Sequence, residues 1–177
     1  RHLELVQRLG RDHAGDPAAT ARAAGGYSDA GIARAGVRDL DGARGYYERS
    51  TELYASLTPA ELAKGDRYTQ YAFALKRLGA LLMVQDDLEQ SEGRYRAALA
   101  IEEELVRRRP GHADTEYAIT FTLSDLGGVL RNQGRADEGA ALWQRALDIR
   151  KRAADADPRD VRALGGVATL ESRFANL

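Results

Sequence analysis

Three stretches of this chain align with one another at a fixed offset of 48 residues, and this repeat constrains the fold more than any other feature. A small or aliphatic residue followed by glycine recurs at that offset, as do a large aromatic residue and a small residue four positions before the aromatic. The three sets are Ala30-Gly31, Leu78-Gly79 and Leu126-Gly127; Tyr47, Tyr95 and Trp143; and Ala43, Ser91 and Gly139. A period of this size is typical of stacked supersecondary units, none of which buries its apolar face alone.

Apolar residues recur at helical spacing within each unit. In the third unit, Ile119, Leu123 and Leu126 follow one another at steps of three or four residues, which puts them on one face of a helix. Gly134 then suits the left-handed turn after a helix, and a second stripe runs on to Pro158. Each unit is thus predicted to be a helical hairpin. The predicted fold class is all-α, an α-solenoid of antiparallel helix hairpins with about eight helices.

We treat the chain as a single repeat domain that is a piece of a longer protein, because the units at both ends are incomplete and no initiator methionine is present. We assign residues 1–13 to the end of a preceding repeat, 17–58, 66–109 and 113–157 to three repeats, and 159–177 to the first helix of a further repeat. Residues 58–66 contain Pro59 and Gly65, and we interpret them as the loosest linker.

The third unit resembles the tetratricopeptide repeat in the order of its residues. The matching positions are Leu123, Leu126-Gly127 and Leu130 in its first helix, Gly134 in the turn, and Gly139, Trp143 and Ala146 in its second helix. The first unit departs from the pattern at Arg34 and Ser50, which predicts looser packing there. The resemblance implies a right-handed superhelix. The family's usual repeat has about 34 residues, so we interpret the 48-residue period as a long bacterial variant.

The resemblance also implies a non-catalytic protein–protein interaction module that binds a peptide or partner domain on the concave face lined by the first helices. The motif positions that point to this face give the candidate binding residues Phe73, Lys76, Met83, Phe121, Ser124, Arg131 and Asn132. In the alternative interpretation, Phe73 and Phe121 are packing between long helices. A second hypothesis makes the chain the regulatory or sensory C-terminal region of a bacterial Ser/Thr protein kinase or another multidomain signalling protein.

Composition argues against several other classes. The net charge of -1 and the aromatic content of 7% do not favour nucleic acid, and the apolar stretches are too short to span a bilayer. The chain has no cysteine, and its three histidines lack metal-ligand spacing. We see no combination of nucleophile, base and orienting group. We therefore predict no enzyme activity, cofactor or metal, and we expect a cytoplasmic protein.

Three further features carry expectations. The basic runs Arg107-Arg108-Arg109 and Arg150-Lys151-Arg152 fall in the last turns of long helices, where we expect solvated caps that complement the helix dipole. Gly165-Gly166 is unfavourable inside a helix, and the sequence shows no gain in packing that would compensate for it. The last helix carries an apolar stripe that we expect to be exposed and to offer a homodimer contact. That stripe consists of Leu164, Val167, Leu170 and Phe174.

Overall fold

A computed structural model describes residues 15–174, which form eight helices and no strand. The helices are α1 (Pro17–Gly36), α2 (Leu40–Ala55), α3 (Pro59–Leu62), α4 (Arg67–Val84), α5 (Leu88–Arg108), α6 (Ala113–Asn132), α7 (Ala136–Ala156) and α8 (Val161–Phe174). The chain divides into two compact units, unit 1 up to Gln85 and unit 2 from Asp86. The predicted all-α helical repeat is confirmed. The helix predicted within residues 1–13 lies outside the described residues.

The 48-residue spacing recurs in the helix boundaries. Helices α1, α4 and α6 end at residues 36, 84 and 132, and helices α2, α5 and α7 begin at residues 40, 88 and 136. Each intervening turn has one residue in the left-handed region, namely Arg38 (φ 61°), Asp86 (φ 62°) and Gly134 (φ 80°). Asp39 and Asp87 then cap α2 and α5, where their carboxylates accept the N–H of Gly42 (3.0 Å) and Gln90 (3.4 Å).

In the hairpin of α1 and α2 in unit 1, a small residue of the first helix packs against an aromatic residue of the second. A Cβ on Gly31 would lie 2.6 Å from ring carbons of Tyr47, so only glycine allows this approach. Ser50, which departs from the repeat pattern, is fully buried and donates its hydroxyl to the carbonyl of Ala24 at 2.8 Å. The serine thus stabilises the hairpin through a satisfied hydrogen bond, and the looser packing predicted for this unit is not seen at Ser50.

The connection between α2 and α4 was expected to be a loose linker, and that prediction is wrong. Its extra residues form α3, which opens with a capping box in which Thr58 and Glu61 exchange side-chain and backbone hydrogen bonds. The backbone and side-chain hydrogen bonds from Thr58 lower the pKa of Glu61. Leu62 is only 7% exposed and belongs to a core cluster with Tyr54 and Leu57. Burial of these apolar side chains holds the connection against the unit.

In unit 2, α6 packs against both α5 and α7, and α8 packs against α7. The predicted apolar face of α6 is confirmed, since Leu123, Leu126 and Leu130 are each at most 1% exposed. A Cβ on Gly127 would collide with the ring of Trp143, and it would lie 2.9 Å from the carbonyl oxygen of Gly139. The helices therefore meet at the small residues that the repeat pattern places there.

A charged network joins α5 to the start of α7. Arg135 donates to Glu92 at 2.8 Å and to Glu138 at 2.7 Å. Burial alone would raise the pKa of Glu92, but hydrogen bonds from Arg96, Arg135 and Gln133 outweigh it and hold the pKa below its ordinary 4.5. Glu92 is therefore an ionised, fixed partner for α7 at neutral pH.

The apolar stripe on α8 was expected to be exposed, and this expectation is wrong for two of its residues. Leu170 is 2% exposed, and the ring of Phe174 lies 6.1 Å from that of Trp143 in an edge-on arrangement. Val167 is partly buried, and Leu164 is exposed. Part of the stripe therefore packs into unit 2 itself, which reduces the surface proposed for a homodimer contact.

Candidate functional site

A pocket of about 340 Å³ opens in unit 1 between α1, α2 and α4. Its lining residues are Gly25, Ser28 and Asp29 of α1, Tyr54 of α2, and Thr69, Gln70 and Phe73 of α4. Two of the three helices are first helices of their hairpins. Phe73 is one of the seven binding residues predicted from the sequence, and it is 39% exposed.

Two polar groups in this pocket lack partners among residues 15–174. The hydroxyl of Ser28 is buried and makes no hydrogen bond. The carboxylate of Asp29 has no hydrogen bond or ion pair either. An unmet buried hydroxyl costs about 1–3 kcal/mol, so a ligand that donates a hydrogen bond here has a group to satisfy.

Tyr54 forms one wall of the pocket and is held in a fixed orientation. Its hydroxyl donates to Oε1 of Gln70 at 2.9 Å, and its ring lies 5.6 Å from that of Tyr71. Burial raises the pKa of Tyr54 to about 12, and the nearby charges of Asp66 and Asp29 add to this effect. Tyr54 therefore stays protonated, and the negative charge in the pocket belongs to Asp29.

A second pocket of about 490 Å³ shares Gly25, Asp29 and Gln70 with the first. Its other charged residues are Arg22, Lys64, Asp66 and Arg67. One end of the groove formed by the two pockets is thus apolar at Phe73, and the other end carries mixed charges. This combination suits an extended ligand with an apolar group and polar neighbours.

The two other predicted residues of unit 1 lie on α4. Lys76 and Met83 are both partly buried and do not line the pocket. The guanidinium of Arg77 lies 4.7 Å from the ring centroid of Phe73. Only Phe73 among the three therefore faces the pocket.

Phe121, the counterpart of Phe73 in unit 2, is 47% exposed but is partly covered by its neighbours. The ring of Tyr117 meets it edge-on at 5.1 Å, and the guanidinium of Arg150 lies 4.7 Å from its centroid. Part of its surface therefore packs within unit 2, and the rest is exposed.

The remaining predicted residues of unit 2 lie in different environments. The side chain of Ser124 is buried, and its carbonyl accepts the indole N–H of Trp143 at 2.8 Å. Arg131 and Asn132 are exposed at the end of α6, and the guanidinium of Arg131 lies 5.7 Å from the ring centroid of Trp143. Arg131 and Asn132 are therefore accessible, whereas Ser124 presents no side chain at the surface.

Arg150 was expected to lie in a solvated helix cap, and that prediction is wrong. Its side chain is buried, and the residue is only 6% exposed. Gly166 makes the space, because a Cβ there would collide with the guanidinium of Arg150. This contact also explains why glycine, which is unfavourable inside a helix, occupies position 166. The sequence signal that could have indicated the burial of Arg150 is a glycine without another explanation in the helix that follows.

Within residues 15–174, no group of three or more His, Cys, Asp or Glu side chains is arranged to hold a metal ion. Over the same residues, no helix combines the length and the apolar character needed to cross a membrane.

The helical hairpins and their small-to-aromatic contacts define a helical-repeat protein. Residues 122–160 match the family model described as tetratricopeptide repeat, which confirms the resemblance predicted from the sequence. The crystal structure of BtubC (BKLC) from P. vanneervenii shares the fold with a TM-score of 0.66 and 22% sequence identity. The match covers 88% of this chain and 56% of that chain, so this chain spans little more than half of its length. Among curated proteins, none matches.

Proposed function

We propose that this chain is a non-catalytic protein-interaction module that binds an extended peptide or a partner domain through the face lined by its first helices. The observation that carries the proposal is the pocket between α1, α2 and α4, which contains the ring of Phe73 and the hydroxyl of Ser28. That hydroxyl has no hydrogen-bond partner within residues 15–174. Tetratricopeptide repeats generally mediate protein–protein contacts, and the family match to residues 122–160 supports the same role.

The pocket favours a ligand with two kinds of group. An exposed phenylalanine offers an apolar contact, and aromatic anchors often supply much of the affinity at such surfaces. Asp29 and Ser28 offer acceptors for a backbone amide or a basic side chain. We therefore propose a peptide that places an apolar side chain against Phe73 and a hydrogen-bond donor near Asp29.

Unit 2 offers a corresponding candidate surface on α6. Phe121, Arg131 and Asn132 offer exposed surface on α6, with Arg131 as a cation and Asn132 as a hydrogen-bonding amide. We keep these residues as candidate partner contacts of unit 2.

The test is a selection from a phage-displayed random peptide library on the immobilised chain, followed by calorimetry with the selected peptides. Phe73→Ala should weaken binding at least about tenfold, because it removes the apolar anchor. Asp29→Asn should weaken peptides with a basic side chain and leave those that offer only backbone amides nearly unchanged.

Val37→Ala is the matched control, since Val37 is an apolar residue 73% exposed at the end of α1 and outside the pocket. It should leave affinity unchanged, and far-UV circular dichroism should show that all variants keep their helices. If the selected peptides bind Phe73→Ala and the parent equally well, the pocket of unit 1 is not the binding site.

A further inference from the structure

Arg150 of α7 is a buried cation, and its hydrogen-bond partners in the described part of the chain are neutral hydroxyl groups. Its Nε donates to the hydroxyl of Thr120 at 2.8 Å, and Nη1 donates to the hydroxyl of Tyr117 at 3.2 Å. Those hydroxyls donate onward to backbone carbonyls, Thr120 to Tyr117 and Tyr117 to Arg162. Within residues 15–174, no carboxylate forms an ion pair with Arg150. Within the described residues, the charge of Arg150 is therefore solvated by hydroxyl dipoles and aromatic rings.

This arrangement is unusual for a buried charge. Arginine does not lose its proton in proteins, so it cannot escape the cost of burial by becoming neutral. The rings of Tyr117 and Phe121 lie 4.4 and 4.7 Å from its guanidinium carbon and offset part of that cost. A guanidinium has five N–H donors, and the two hydroxyls accept only two of them. The guanidinium of Arg150 therefore has further N–H donors that an acceptor could bind.

Arg150 also lines an open pocket of about 510 Å³. The first turns of α6, the last turns of α7 and the start of α8 enclose it, and Arg152 and Arg162 lie on its wall. Arg152 is exposed and makes no ion pair or hydrogen bond within the described part of the chain. The guanidinium of Arg162 forms two long ion pairs, in which its nitrogens lie 3.6 Å from Oδ1 of Asp160 and 3.7 Å from Oδ1 of Asp114. The pocket therefore offers guanidinium donors at more than one point.

Three carboxylates share this wall, but each is already engaged by a backbone N–H. Glu116 accepts from Gly111 at 3.1 Å, and Asp157 accepts from Arg159 at 3.0 Å. Asp160 caps α8 by accepting the N–H of Arg162 and Ala163, and these hydrogen bonds lower its pKa. The carboxylates thus stabilise local turns, and none of them forms an ion pair with Arg150 within residues 15–174. A hydrogen bond from a backbone N–H does not cancel the charge of a carboxylate, so these three groups oppose an anion in the pocket and the arginines must outweigh them.

We propose that this pocket binds an oxyanion, the carboxylate or phosphate group of a ligand, at its arginine side chains, Arg150 and Arg152 in particular. The planar guanidinium presents paired donors that match either group. The buried Arg150 is oriented in advance by Thr120 and Tyr117, and the exposed Arg152 closes on the anion from solvent. This site lies in unit 2, whereas the peptide pocket lies in unit 1.

The test is a titration of the ¹⁵N-labelled chain, followed by NMR, with sodium phosphate, sodium acetate or sodium chloride at matched ionic strength. The probes are the side-chain Nε–H of Arg150, which is buried and hydrogen-bonded, and the backbone amides of Ala113 and Ala153 at the pocket wall. A saturable shift of these signals with phosphate, with acetate or with both is the expected result. Saturation with phosphate alone would identify a phosphate site, and saturation with acetate would identify a carboxylate site.

Arg152→Gln is the main variant, because an exposed side chain without partners can be changed without disturbing the fold. It should weaken the anion about tenfold. Arg145→Gln is the charge control, since it removes the same charge from the same helix outside the pocket; because Arg145 pairs with Glu103 at 2.7 Å, circular dichroism checks that this variant is also folded. Arg150→Gln should abolish saturation, with circular dichroism as a check that the variant is folded.

Three results would each overturn the proposal. The first is a shift with chloride as large as that with phosphate and acetate, which would indicate screening only. The second is an unchanged affinity in Arg152→Gln. The third is an equal loss of affinity in Arg145→Gln, which would indicate a general charge effect.

Discussion

The contact between Gly127 of α6 and Trp143 of α7 makes a sharp prediction about stability, because the neighbouring Gly128 provides a matched control. A Cβ at Gly127 would collide with the indole and lie 2.9 Å from the carbonyl oxygen of Gly139. A Cβ at Gly128 would meet only Nη1 of Arg173, at an ordinary 3.8 Å. Both glycines lie inside α6, so alanine gains the same helix propensity at either position.

The expected magnitudes follow from these distances. Trp143 is 1% exposed, and its N–H is bonded to the carbonyl of Ser124, so the ring cannot move aside. Overpacking against a fixed ring and a backbone carbonyl costs about 3 kcal/mol, and alanine returns about 1 kcal/mol in helix propensity. Gly127→Ala should therefore lose about 2 kcal/mol of unfolding free energy, while Gly128→Ala should gain about 1 kcal/mol.

Urea unfolding followed by far-UV circular dichroism measures both changes through the midpoint and the slope. On heating, the two variants should differ in Tm by about 6–12 °C, at about 2–4 °C for each kcal/mol in a chain of this size. If Gly127→Ala is as stable as Gly128→Ala, the close approach of α6 and α7 at this point is not what requires glycine, and the argument fails.

Two further predictions concern the turns and the pH dependence. Asp86 occupies a left-handed turn position at φ 62°, so Asp86→Gly should raise the unfolding free energy by about 0.5–1 kcal/mol. Gly134 occupies the same turn position in the next hairpin, so Gly134→Ala should lower the unfolding free energy by about 1 kcal/mol. Thermal denaturation measures both changes, and a loss of stability in Asp86→Gly would contradict the reasoning. Because the folded-state pKa of Glu92 lies below 4.5, its stabilisation is present above that pH and is lost as the pH falls through the folded-state pKa. Urea midpoints should therefore fall more steeply below about pH 5 in the parent than in Glu92→Gln, and parallel curves would count against the network.

The elements that the sequence predicted correctly are those governed by short-range periodicity. The apolar face of α6 and the left-handed turn at Gly134 follow from spacing alone, since each depends on residues within a few turns of helix. The pairing of Gly127 with Trp143 was also predictable, because the repeat places the same types at the same positions three times.

The features that were missed depend on contacts between distant residues. Leu62 and Thr58 make α3 an ordered connection, but proline and glycine nearby favoured a loose linker. Arg150 was expected at the surface because cations in the last turns of a helix complement its dipole and free carbonyls, and its fit against Gly166 of another helix shows otherwise. The pocket around Phe73 needs Ser28 from another helix, and no local pattern brings the two together.

The cellular context stays a prediction from composition and resemblance. The bacterial origin, the cytoplasmic location and the link to a Ser/Thr kinase or another signalling protein all concern parts of the system beyond residues 15–174. Sequencing the flanking gene for a kinase or nucleotide-binding domain is the direct check on the last of them.

The connections between successive hairpins differ in length, whereas the turns inside them do not. Residues 56–66 join α2 to α4, but residues 109–112 and 157–160 suffice for the later junctions. An insertion between hairpins can be absorbed as α3 is, by folding onto the nearest core through a residue such as Leu62. An insertion inside a hairpin would shift every residue of the second helix against the first. During evolution, such an array can therefore accept insertions between its hairpins, whereas the turn inside each hairpin has to keep its length.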